Sequence, residues 1–354
     1  MKRFLCLLAG GLLSQGLLAQ SNENWTEVNL AVTDNQVIPA YADFAAASAS
    51  LSDAGNAFCA APDESSLSHF REQFHASMDA WQGIQHIQFG PITYFNWNYR
   101  VHYWPDEKGT GGRQLDALIA GKNSEVLVLE NFARESVGVQ GFPALERLLF
   151  ADDSLQALQS DQYRCQVTQT IAANISDIAS GVHSRWVEEF RTTVANADDR
   201  GFFENAEDAT IDFLKAQVES VRRVQQQKVE EIIGESAGQE RVRRAESWRS
   251  GRSLRNLRVN VAALATLFNG NGTQATHLGS VLLPEDEVLV AEKFAILQST
   301  LQALPDSFEE ALAAEAGYAS LQLVAAQLDT VFETLEASLK NTDLYLGFNS
   351  LDGD

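Results

Sequence analysis

His86 and His102 bracket a segment rich in aromatic residues, and Asp106 follows shortly after the second histidine. A histidine–aspartate–glutamate set would suit a transition metal, whereas carboxylates joined by a carbonyl would suit a hard cation. Surface or capping histidines produce the same spacing, because spacing alone fixes no geometry. Arg113 and Arg252 each stand directly after a glycine at an expected helix start. A guanidinium there opposes the helix dipole, so each is expected to face a carboxylate or a ligand anion. A buried pair with Glu146 or Asp106 is the expected form, and an anionic-ligand clamp is the alternative. The stretch from Arg241 to Arg255 is a basic island in an acidic chain. It reads as a solvated helix face paired with neighbouring acids, with acidic lipid or a polyanion as the other reading. Asn349, Asp352 and Asp354 resemble half a calcium loop, without the EF-hand spacing or its distal glutamate. No His-Glu-x-x-His motif occurs.

Three loop clusters mix aromatics, glycines and acids in a way that a plain helical bundle does not require, and functional residues often sit on such loops. The first runs from Trp81 to Pro91 and contains Gln85. The second is Tyr103, Trp104, Pro105 and Asp106, leading to Gly109 and Gly112. The third is the C-terminal run from Leu346 to Asp354. The elements around them follow a helical period, with apolar residues at steps of three and four. One stripe is Leu67, Phe70, Phe74, Trp81 and Ile84. A longer one is Val167, Ile171, Ile175, Ile178, Val182, Trp186 and Phe190. Others are Ile211–Leu214–Val218–Val221, Val290–Phe294–Leu297–Leu301–Leu304 and Leu321–Val324–Leu328–Val331–Leu335. Pro284 followed by three acids marks a helix start. Residues 92–103 lack helical spacing and read as an extended or irregular connection. The expected fold is all-α, as two packed helical-bundle halves of up-down, four-helix-like form over residues 20–235 and 236–354.

The composition supports a folded chain, with 45% hydrophobic and 21% charged residues. A net charge of -22 repels phosphate backbones, so nucleic acid is a poor partner. Met1-Lys2-Arg3, a short apolar run and Ala19 before polar residues describe a secretory signal peptide over residues 1–19. No later stretch is long and apolar enough to cross a bilayer. Beyond Cys6 in that leader, Cys59 and Cys165 remain, and in an oxidising compartment they are expected to form one disulfide.

The segment Gly141-Phe142-Pro143-Ala144-Leu145-Glu146 resembles the imelysin signature glycine-x-histidine-x-x-glutamate leading into an apolar helix. The Trp104-Pro105-Asp106 segment, the Arg164-Cys165 pair, Ser250-Gly251-Arg252 and the Gly-Phe-Asn ending are similar to that family as well, over most of the chain. The resemblance implies an envelope protein of two helical bundles with a site between them. Its relatives include an insulin-cleaving peptidase, iron-regulated proteins and periplasmic uptake components. Pro143 stands where the family carries histidine. Histidine and glutamate three apart on a helix share a face and can hold a metal together, whereas proline cannot ligate. A zinc peptidase needs roughly three protein ligands and an open water position, so peptidase activity is expected to be absent. Pro143 suits a helix start, where Glu146 is either a dipole-satisfying acid or a site carboxylate. The resulting expectation is a non-enzymatic binding protein of the periplasm or outer-membrane surface that serves iron uptake. Its partners would be iron, an iron chelate or envelope uptake components, and its cofactor iron or another divalent cation. The expected ligand-binding residues are Gly141, Pro143, Glu146, Trp104, Asp106, Arg113, Arg252 and Gln85, with Glu146, His86 and His102 as metal candidates. A metallopeptidase with a rearranged site, His86 or His102 replacing the missing ligand, is the alternative. A partner-docking protein is the third class.

Overall fold

A computed structural model of the chain describes residues 22–198, 200–272, 275–342, 344 and 346. The expected leader over residues 1–19 and the acidic end from 347 to 354 lie outside the described residues. Among the described residues there is no strand, and the architecture is all-α. No described helix is long and apolar enough to cross a membrane.

Helix α1 (Asn22–Val32) runs through a π-helical turn into α2 (Ile38–Ala60). Helix α3 (Glu64–Gln82) starts where the Asp63 carboxylate accepts from the Ser66 amide at 2.8 Å, while the Asp63 amide donates to the Ser66 hydroxyl at 3.0 Å. This reciprocal cap satisfies amides that the first turn leaves unpaired. The short helices α4 (Thr110–Gly121) and α5 (Phe142–Leu149) precede the long α6 (Gln162–Arg185). Then come α7 (Ala206–Arg223), α8 (Ser253–Asn269), α9 (Pro284–Gln302) and α10 (Gly317–Leu339).

The helical stripes mark the buried faces. Leu67, Phe70, Phe74, Trp81 and Ile84 are buried, as is the whole stripe from Val167 to Phe190. The C-terminal stripe from Leu321 to Leu335 is buried too. These faces assemble two packing groups. In the first, α2 lies against α3 and α6, and α5 packs on α3 and α6. In the second, α7 packs on α1, α8 and α10, and α9 joins α8 to α10. Helices α3 and α8 meet across the groups. Gly234 and Gly238 take φ of 68° and 90° and end the helical run after α7. Cys59 and Cys165 are bonded, with Cα atoms 5.8 Å apart, and tie the end of α2 to the first turn of α6.

Residues 92–103 depart from the expected irregular connection. They continue a 3-10 turn (Gly90–Asn96) and form a short helix (Trp97–Val101). Phe95 and Asn96, at φ of 53° and 57°, break the run between the two, which removes the periodicity from the sequence.

Candidate ligand-binding cleft

Gly141 caps the N-terminus of α5 in extended conformation. It passes so close to the preceding short helix that a Cβ would collide with the carbonyl oxygens of Arg100 and Val101. Only glycine fits such an approach. Pro143 lies in the first turn, where its missing amide costs no helical hydrogen bond. Glu146 follows on the same helix and is 4% exposed. Its Oε1 accepts from the Ser250 amide at 2.9 Å and from the Ser250 hydroxyl at 2.7 Å. Burial pushes the Glu146 carboxyl above its ordinary value, against the Ser250 hydrogen bonds and the positive charges of Arg249 and Arg147.

This carboxylate borders a cleft of about 280 Å³. One wall is the segment His102 to Asp106, and the other is the segment Arg243 to Arg249, which belongs to the connection before α8. Trp104 is fixed across the opening by its indole N–H, which donates to the Arg244 carbonyl at 3.3 Å. Asp106 holds the first turn of α4: Oδ1 accepts from the Thr110 amide at 2.9 Å and Oδ2 from the Gly111 amide at 2.8 Å. Desolvation opposes its ionisation, yet these amides and the Thr110 hydroxyl outweigh it and hold the carboxyl below its usual range. Gly112 on the same helix makes room for Arg147, since a Cβ there would lie 3.0 Å from Nη1.

Arg147, Arg243, Arg244 and Arg249 all border the cleft. Trp248 carries the Arg249 guanidinium 4.3 Å and the Arg243 guanidinium 5.8 Å from its ring centroid, a stacking geometry that fixes cations on an aromatic face. Burial, and then the like charge of Arg147, lower the Arg249 guanidinium against the opposing pull of Glu146.

Beneath the cleft runs a buried polar network. Lys228 Nζ donates to both Glu246 oxygens at 2.9 and 2.8 Å, to Asn260 Oδ1 at 2.8 Å and to Gln82 Oε1 at 3.1 Å. His102 Nδ1 lies 3.6 Å from Glu246. Burial takes the His102 imidazole down to about 4 even so, because Lys228 and Arg252 oppose the effect of Glu246.

The expected site residues separate on this geometry. Glu146, Pro143, Trp104 and Asp106 line the cleft, and Gly141 shapes the backbone beside it. Arg113 is exposed on α4 and does not line the cleft. Arg252, 1% exposed, lies in the network below. The expected Arg252 pairing with Glu146 or Asp106 does not form. Arg252 instead donates to Asp79, to His75 Nδ1 at 3.0 Å and O at 2.9 Å, and to Asn256 Oδ1 at 2.7 Å. The physical reason is that both expected acceptors are already occupied, Glu146 by Ser250 and Asp106 by α4 amides. Gln85 and His86 border a separate cavity of about 20 Å³ beside Lys228. Burial pushes His86 down to about 4. Among the described residues no three His, Cys, Asp or Glu side chains converge as a metal-holding group, so Glu146, His86 and His102 are not brought together. With one Glu146 oxygen given to Ser250 and Pro143 beside it, the residues present do not fit a protein-held metal ion. Arg147, Trp248 and Arg249 were not among the expected ligand residues, although the last two lie inside the basic island and the first adjoins Glu146.

The imelysin (peptidase M75) family profile matches residues 37–335. The chain belongs to the imelysin family. It is 23% identical over 316 residues to Iron-regulated protein A of Synechococcus elongatus, covering 86% of this chain and 82% of that one. Its fold is similar to the crystal structure of an imelysin-like protein from Psychrobacter arcticum 273-4, with a TM-score of 0.74, 22% identity, and coverage of 94% of this chain and 100% of that one. A structure assigned as an iron-regulated protein A precursor from Parabacteroides distasonis gives the same TM-score at 14% identity, covering 90% of this chain and 96% of that one. The space beside Glu146 is bordered by a proline ring and guanidinium groups.

Proposed function

We propose that this imelysin-family chain is an exported, non-enzymatic binding protein of the bacterial cell envelope that serves iron acquisition by holding an iron chelate. The observation that carries the reading is Glu146: its carboxylate is held by Ser250, beside Pro143, at the edge of a cleft bordered by arginines. Such a site is suited to holding a solute and lacks the ligand set of a hydrolytic metal centre. The relative named Iron-regulated protein A supports the link to iron. The leader-like residues 1–19 support export to the periplasm or the outer-membrane surface, where an envelope uptake component would receive the cargo. The cleft is lined by residues 102–147, whose helix α5 packs in the first group, and by 227–232 and 243–249, which run between helices α7 and α8 of the second.

Isothermal titration of the purified protein with ferric citrate, a ferric hydroxamate and free ferrous and ferric ions tests this. Saturable binding of at least one iron species, together with no peptide hydrolysis, is the expected result. Failure of every iron species to bind defeats the reading. So does zinc-dependent hydrolysis of a polypeptide that is lost in Glu146→Ala.

A further inference from the structure

Several arginines of the chain have a carboxylate partner, and others among the described residues, such as Arg113, Arg134 and Arg164, stand apart on the surface without one; the arginines of the cleft lack such a partner and are gathered in one place. Arg191 pairs with Asp34, Arg222 with Asp329, Arg258 with Asp306, Arg185 with Glu189, and both Arg252 and Arg255 with Asp79. With 48 acidic against 26 basic residues, such pairing is easily met. Yet among the described residues none of the guanidinium groups of Arg147, Arg243, Arg244 and Arg249 lies within 4.0 Å of a carboxylate or donates to a protein acceptor. They nevertheless converge on one cleft, and Arg147 and Arg249 are close enough for their charges to oppose one another.

The acids at the cleft do not relieve this. Both Asp106 oxygens accept α4 amides, and Glu146 faces Ser250. Glu107 and Glu231 are exposed at the border. Unpaired arginine forks gathered on a concave surface are complementary to an anion that presents several planar oxygen groups. Trp248 holds two of them in place, so less side-chain freedom is lost when the anion arrives. A cleft of about 280 Å³ suits a small solute.

We infer that the cleft recognises a small oligocarboxylate through Arg147, Arg249, Arg243 and Arg244, so that the protein reads the carboxylates of the chelator and the iron travels as their cargo. This deepens the proposed function and rests on it for the iron. Separate guanidinium groups address separate carboxylates of one molecule, whereas a compact tetrahedral anion would engage fewer of them.

The full chain is titrated by calorimetry, and by tryptophan fluorescence through Trp104 and Trp248, with iron-free citrate, ferric citrate, a ferric hydroxamate and pyrophosphate. Iron-free citrate is expected to bind within about tenfold of ferric citrate. Arg249→Gln and Arg147→Gln are each expected to weaken both by about tenfold or more, the loss expected on removing a charge-assisted contact. Arg243→Gln, at an exposed position, is the second variant should either of these unfold, and thermal melts separate the two cases. Ferric citrate binding that ignores all three substitutions, with iron-free citrate inert, overturns the inference and leaves the proposed function standing. Citrate binding with every iron form inert supports the inference and defeats the proposed function. Pyrophosphate binding with citrate inert, or no binding by any probe, overturns the inference.

Discussion

At the scale of single residues, the site turns on how Glu146 is kept. A buried carboxylate is costly unless it is hydrogen-bonded or neutral. Ser250 supplies two hydrogen bonds, yet burial still raises the carboxyl. The native state therefore holds this proton to a higher pH than the unfolded chain does. Stability is lost as pH rises from the ordinary value near 4.5 through the raised native value, and is level above it. Glu146→Gln keeps the shape and an acceptor for Ser250 but cannot ionise. Its melting temperature relative to the parent is expected to become more favourable as pH rises above about 4.5 and then to level off, measured by calorimetry. A difference that is flat, or that runs the other way, would show that the carboxylate is well solvated or better paired than this geometry implies.

At the scale of elements, the helices were legible and their meeting points were not. The stripe from Val167 to Phe190 announces a buried face because helical burial repeats every three to four residues within one segment. It could be read even through the π-helical turn that follows α6. Partner choice is different in kind. Arg252 and Asp79 are 173 residues apart, and Glu146 and Ser250 are 104 apart. Nothing local in the sequence distinguishes Arg252, which finds an acid, from Arg249, which does not. The basic island therefore reads as a solvated face until the fold divides it between a buried network and a cleft wall. Pro143 and Glu146 were legible through the family signature, and Trp104 and Asp106 through their loop. Asp106 then turns out to serve α4, accepting from the Thr110 and Gly111 amides in its first turn. Asp106→Ala is expected to cost about 1 kcal/mol, in line with the loss of a helix-start acceptor. It should also raise amide hydrogen exchange over residues 110–113. Unchanged exchange there would show that α4 starts without this carboxylate.

At the scale of the whole molecule, the two packing groups are joined by a charged contact in a dry place. Gln82 comes from the end of α3, Asn260 from α8, Glu246 from the connection before α8, and Lys228 from the π-helical turn after α7. Burial lowers the Lys228 ammonium while Glu246 opposes it. Burial would raise the Glu246 carboxyl, but Lys228 and the surrounding donors hold it well below the usual carboxylate range. The carboxylate thus contributes stability that is present above its ordinary value near 4.5 and is lost as pH falls through the lower native value. Removing one partner leaves the other charge buried and alone, which typically costs roughly 3–5 kcal/mol. Lys228→Met is expected to lose about that much at pH 7 in urea unfolding. Glu246 would then take up a proton far more readily, so the deficit should shrink as pH falls from 7 toward 4.5. Adding Glu246→Gln removes the orphaned charge and keeps an acceptor for Asn256, whose Nδ2 donates to Glu246 at 2.8 Å. The double variant should therefore be more stable than Lys228→Met alone at pH 7, with a deficit that no longer depends on pH over that range. Equal stability of the two variants at both pH values would mean that the lysine acts by packing its stem. The groups would then be joined through the packing of α3 on α8 and the pairing of Asp79 with Arg252 and Arg255 across it.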